Sequence, residues 1–140
     1  DLQKTMRITM KKLTICLIAV FLAFGAQASK SQSYKLITVS TYLNFYLMNL
    51  NACEDYHPPA RQAAYKAESK LYPFFEKLDA KVAKMNIDED DKAAIANTVS
   101  NRRAKLNAQI AEGEFTIEHC NAVIGIVNAG LDSTILAAID

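Results

Sequence analysis

The sequence predicts an all-α protein, a small antiparallel bundle of about four helices with one disulfide joining the first and last of them. Three observations carry this. Apolar residues recur at gaps of three and four through most of the chain, the period of one helix face. Helix start and stop signals separate the periodic stretches. Four Gly, three Pro and no Trp in 140 residues are too few turn-formers for a protein of many short strands. Ala, Lys, Leu and Glu, all good helix formers, dominate the middle.

The N-terminal stretch reads separately. Met10-Lys11-Lys12, preceded by Arg7, leads into the apolar run Leu13 to Phe24, broken only by Thr14, and then into Ala26-Gln27-Ala28 before Ser29. A charged start, a short apolar centre and a small-x-small site are the parts of a cleavable secretory signal. The run is also shorter than the roughly 20 residues a bilayer span needs. Asp1 to Thr5 then read as upstream sequence, with Met6 or Met10 as the start. Cys16 lies inside the apolar run rather than behind the cleavage site, which argues against a lipid anchor. The expectation is a signal over 1–28, a single helical domain over 29–140, and a bacterial protein that is periplasmic or secreted, with no membrane span after cleavage.

Within that domain, Ser29 to Ser33 read as a polar, mobile tail. Leu36, Val39, Leu43, Tyr46, Leu50 and Cys53 mark the first helix, although the β-branched, alternating segment 37–42 also fits a strand. Pro58-Pro59 ends this element and opens the next. The second helix runs on Ala60, Ala64, Leu71, Phe74, Phe75, Leu78, Val82 and Met85, with Pro73 predicting a kink or break near Tyr72. Asp88 caps the third helix, and Glu89, Asp90 and Asp91 occupy the first turn, where the helix dipole favours carboxylates. This acidic run lacks the alternating ligands, central Gly and closing Glu of a calcium-binding EF-hand loop. The third helix turns Ile95, Val99, Leu106 and Ile110 inward and Arg102, Arg103 and Lys105 outward, and Gly113 stops it. Thr116 caps the fourth, whose face runs Cys120, Val123, Ile124, Val127 and Leu131. Gly130 followed by Asp132-Ser133-Thr134 predicts a break and a last short turn to Ile139.

Charge and motifs narrow the function. Residues 29–140 hold twelve of the 16 Lys+Arg and fourteen of the 15 Asp+Glu, a formal charge of −2 against +1 for the whole chain. That balance gives no basic footprint for a nucleic-acid partner. No Gly-x-Ser-x-Gly elbow, His-Glu-x-x-His, phosphate-cradling Gly loop or Cys-x-x-Cys pair is present, so neither an enzymatic role nor a resident cofactor is expected.

Two clusters remain. Cys53 and Cys120 are the only cysteines of 29–140, and an even count in an oxidising compartment predicts a bridge. Both histidines of the chain flank them: His57 lies four residues past Cys53, and His119 directly precedes Cys120. Glu54, Asp55 and Glu118 stand beside them. Three readings are open here: a structural disulfide with bystander imidazoles, a surface Zn²⁺ or Cu²⁺ site using His57 and His119, or a Cys₂His₂ zinc site on reduced thiols. The last is disfavoured because adjacent residues on a helix diverge by about 100°.

The second cluster is aromatic. Tyr42, Phe45, Tyr46 and Tyr56 on the first helix cannot all face inward on an ideal helix; either they fill gaps in a thick core or, as outward aromatics with an apolar body and a wet tip, they suit a protein interface. Ala122, Gly125 and Ala129 on the fourth helix form a small-residue flank, either central packing or a docking or homodimer face. The expected function is a small exported, non-enzymatic binding protein that docks on another protein of the cell envelope, such as an inhibitor, immunity or accessory protein. Periplasmic metal binding at His57 and His119 is the alternative.

Overall fold

The computed structural model describes residues 32–140, of which Lys35–Asp140 form one compact unit. The expected secretory segment 1–28 lies outside the described residues, and Cys16 with it. The described residues are helical with no strand. Helix α1 covers residues 32–56, followed by a 3-10 turn Pro58–Ala60, α2 Arg61–Ser69, α3 Tyr72–Lys84, α4 Glu89–Ala111, α5 Ile117–Ala129, α6 Ser133–Leu136 and a final 3-10 turn Ala137–Ile139.

The segment 37–42 is helix, not strand. Its β-branched residues carry only a few tenths of a kcal/mol of helix penalty each, against a whole apolar stripe: Leu36, Val39, Leu43, Leu50 and Cys53 are all buried. Polar residues on α1 remain compatible with burial by bonding back one turn. Thr41 Oγ1 donates to Ile37 O at 2.8 Å, Asn44 Nδ2 to Ser40 O at 2.8 Å and Asn49 Nδ2 to Phe45 O at 2.8 Å. Of the polar tail expected over Ser29 to Ser33, Gln32 and Ser33 are helical, since neither residue type breaks a helix; the rest lies outside the described residues.

The break expected near Tyr72 falls at Lys70 and Leu71, between α2 and α3. Pro73 lacks the N–H a continuous helix would use and sits instead in the first turn of α3, where no donor is required. The Leu71 carbonyl accepts from Phe74 N at 3.0 Å and Phe75 N at 3.1 Å, and its side chain is fully buried. The local caps form where the sequence places them. Asp88 accepts from Asp91 N at 2.8 Å and Thr116 from His119 N at 3.2 Å. Gly113 (φ 74°) and Gly130 (φ 107°) take up positive φ after α4 and α5, backbone that a side chain would strain.

Two apolar clusters form the core. One surrounds Leu50, Cys53, Ala64, Ala67, Leu71, Phe115, Cys120 and Val127; there the small Ala64 and Ala67 let α2 approach α5 closely. The other gathers Leu36, Val39, Leu43, Leu78, Ile87 and Ile139. Ile139 reaches it because the chain bends by 60° between α5 and the segment Ser133–Ile139. In α4 only Leu106 is buried; Ile95, Val99 and Ile110, expected inward, are half-buried. Among the described residues no single helix is long and apolar enough to cross a membrane.

Candidate functional site

The end of α1 meets the start of α5. Cys53 and Cys120 face each other as a disulfide pair with Cα atoms 5.7 Å apart, so α1 and α5 run antiparallel. With the sulfurs paired, the zinc site on reduced thiols does not form. Both histidines do arrive at this end, as expected, but each ring is held by the protein. His57 Nε2 lies 2.8 Å from the Phe115 carbonyl and His119 Nε2 lies 2.7 Å from Asn49 Oδ1. A carbonyl only accepts, so His57 donates from Nε2. The Asn49 amide is oriented by its own donation to Phe45 O, which leaves Oδ1 as the acceptor for His119. The Phe115 ring stands between the imidazoles, 5.5 Å from His57 and 5.3 Å from His119. Among the described residues no group of three or more His, Cys, Asp or Glu side chains is placed to hold a metal ion.

Phe115 was missed in reading the sequence, yet it left a signal. It directly precedes the Thr116 cap and shares a core cluster with Cys120 four residues beyond that cap, the spacing of a hydrophobic staple.

Beside the disulfide lies a carboxyl pair. Glu54 is 7 % exposed, and its Oε1 is sealed from solvent with no hydrogen-bond partner. Burial first, then the hydrogen bond and charge of Glu68, then the charge of Asp55, push the Glu54 carboxyl up to about 8. Glu68 in turn accepts from the Tyr72 hydroxyl at 2.8 Å, and that bond raises the tyrosine above its ordinary range. Burial beside a second carboxyl therefore favours the protonated form of Glu54 at neutral pH. With Oε1 closed off, the pair acts on the packing of α1 against α2 rather than on a ligand. Asp55 and Glu118 are exposed. Sequence reasoning placed Glu54 near the cysteines but gave no hint of Glu68, which comes from another helix.

Three of the four predicted interface aromatics come together. Tyr42 and Tyr46 pack edge to face with centroids 5.0 Å apart, and Phe45 and Tyr46 do so at 5.2 Å. The Tyr42 hydroxyl accepts the Asp132 N–H at 3.0 Å, which ties the run to the cap of α6. Burial and the neighbouring Tyr42 raise the Tyr46 hydroxyl. Tyr56 is 58 % exposed and stands apart, ten residues past Tyr46 and so about 15 Å along the helix. Asn49 and Cys53, both buried, lie between.

At its other end the run opens on a groove between α1 and α4. Phe45, Met48 and Asn49 line one wall; Arg102, Lys105, Leu106 and Gln109 line the other, around a volume of about 100 Å³. The Arg102 guanidinium sits 5.9 Å over the Phe45 ring. The small-residue flank of α5 is exposed: Ala122, Gly125 and Ala129 lie beside Ile126, and among the described residues nothing comes within 4 Å of a Cβ at Gly125. Comparison of the chain with protein-family models, curated proteins and solved structures finds no match.

Proposed function

We propose that this is a small exported binding protein without catalysis of its own, which docks on another protein of the cell envelope through the aromatic face of α1 and the groove beside α4. The observation that carries the reading is the run Tyr42–Tyr46–Phe45, half-exposed and continuous by edge-to-face contact. Rigid aromatics that stay partly wet offer large contact area at little entropic cost on binding. Here they sit on a helix whose back is fixed by the core and by the disulfide, so the face is pre-organised. The competing reading, metal binding at His57 and His119, would require the rings to surrender their bonds to Phe115 and Asn49 or to turn both Nδ1 atoms toward one ion.

The test is site-specific photo-cross-linking in the source cell envelope. A photoreactive phenylalanine at Phe45 should give a discrete adduct with one protein, and the same probe at the exposed Asp79 on α3 should give none. Equal, diffuse adducts from both positions would defeat the docking reading.

A further inference from the structure

We propose that the α1–α4 groove reads an acidic segment of the docked partner: one carboxylate taken by Arg102 and Lys105, and an adjacent apolar side chain laid on Phe45 and Met48. This rests on the docking reading above and adds the chemistry of the partner.

The first argument is charge complementarity. Residues 92–111 of α4 contain no Asp or Glu, and residues 36–53 of α1 contain no charged residue at all, so neither wall supplies a counter-ion. Lys92 pairs with Glu89 at 3.2 Å, while Arg102, Arg103 and Lys105 make no ion pair among the described residues. The nearest acid in sequence, Glu112, is seven residues beyond Lys105, about 10 Å along the axis and close to one Debye length at 0.1 M salt. Residues 29–140 carry net negative charge overall, so this local surplus of positive charge does not follow from bulk composition.

The second argument is geometric. Positions 102, 105, 106 and 109 share one face of α4 by helical spacing, which puts both cations and the Gln109 amide along a single edge of the groove. The Phe45 ring beneath the guanidinium favours a planar cation stacked on it, and among the described residues no acceptor engages the Arg102 N–H donors. A guanidinium supported on one side with open donors matches the two oxygens of a carboxylate. The floor asks for no polar partner, because Asn49 is already bonded to His119 and Phe45.

The third argument is size. A volume of about 100 Å³ is well below the roughly 300–1,000 Å³ of pockets that enclose small molecules. It suits one side chain projecting from a larger body, which selects a protein segment over a free metabolite.

The test is an NMR titration of the intact oxidised protein with a blocked pentapeptide of sequence Asp-Leu-Glu-Phe-Asp. The control is the same peptide with Lys at each acidic position. The acidic peptide should shift amides of residues 45–49 and 102–109 and little else, with affinity falling several-fold between about 20 mM and about 200 mM salt. Arg102→Glu with Lys105→Glu should weaken binding about ten-fold or more. The neutral pair Arg102→Gln with Lys105→Gln should weaken it in the same direction; both residues are exposed, so both variants can be checked for unchanged melting. Equal binding of the lysine peptide, shifts away from the groove, or indifference to charge reversal would overturn the proposal. So would perturbation of the same amides by phosphatidylglycerol vesicles but not by the peptide. A Phe45 cross-link that forms undiminished in the charge-reversed protein would overturn the acidic-segment inference while leaving docking itself intact.

Discussion

Replacing Glu54 by Gln should stabilise the protein at neutral pH and flatten its response to alkali. The folded chain keeps the Glu54 carboxyl protonated up to about 8, whereas its ordinary value is 4.5. Between those two values the unfolded chain releases a proton that the folded chain retains, so stability falls as pH rises. The contribution is fully present below about 4.5, is lost progressively through the neutral range, and levels off above 8. At pH 7 the unfolded carboxyl is 2.5 units past its midpoint, which at 1.36 kcal/mol per unit amounts to about 3 kcal/mol. Gln preserves the volume, cannot ionise, and its amide can donate to the Glu68 carboxylate as the protonated acid does. The assay is urea denaturation of the oxidised protein, wild type and Glu54→Gln, at steps between pH 5 and pH 9. Wild type should lose about 3 kcal/mol relative to the variant between pH 5 and pH 8. Parallel pH profiles, or a wild type that gains on the variant as pH rises, would refute the idea that α1 buries a protonated Glu54 against α2.

Three further outcomes are expected. Cys53→Ala with Cys120→Ala should lower unfolding stability by about 4 kcal/mol, the chain-entropy value for so long a loop, and wild type in reductant should match the double variant in urea titrations. Tyr42→Phe should cost about 1 kcal/mol and speed hydrogen exchange at the Asp132 amide, which the hydroxyl accepts; unchanged exchange would deny that contact. Calorimetric titration with Zn²⁺ and Cu²⁺ should give identical traces for wild type and for His57→Ala with His119→Ala, and a stoichiometric heat lost in the variant would establish the metal site instead.

Much of the helical layout was legible because its signals are local. Asp88 and Thr116 are the right residue types at the right offsets from their apolar stripes, and each accepts an N–H of the first turn. Gly113, Gly130 and Pro73 act through their own backbones, so their effects do not depend on neighbours. The cysteine pair could be reasoned from parity and from the ends of the helices on which they stand. What the sequence left open is which faces meet. Glu54 and Glu68 are 14 residues apart on different helices, and only the packing angle of α2 on α1 puts one carboxyl beside the other. Arg102 reads as an exposed cation until Phe45 is found beneath it. Tyr56 falls near the angular face of Tyr42 on an ideal helix, but periodicity is silent about what covers the stretch between them. The same limit explains Ile95 and Val99: spacing tells which residues share a side, not how much neighbour that side meets.

The two apolar clusters differ in how they are fastened. The one around Leu50 and Cys120 contains the covalent link; the one around Leu36, Leu78 and Ile139 is closed by side chains alone. Local opening of a protein begins where such restraint is least, so the Leu78 end should breathe first. The connection between α3 and α4, from Met85 to Asp88, lies at that end and inside the loop that Cys53 and Cys120 close. A protease cutting there would nick the chain without dividing it, and both pieces would travel as one molecule until the bridge is reduced.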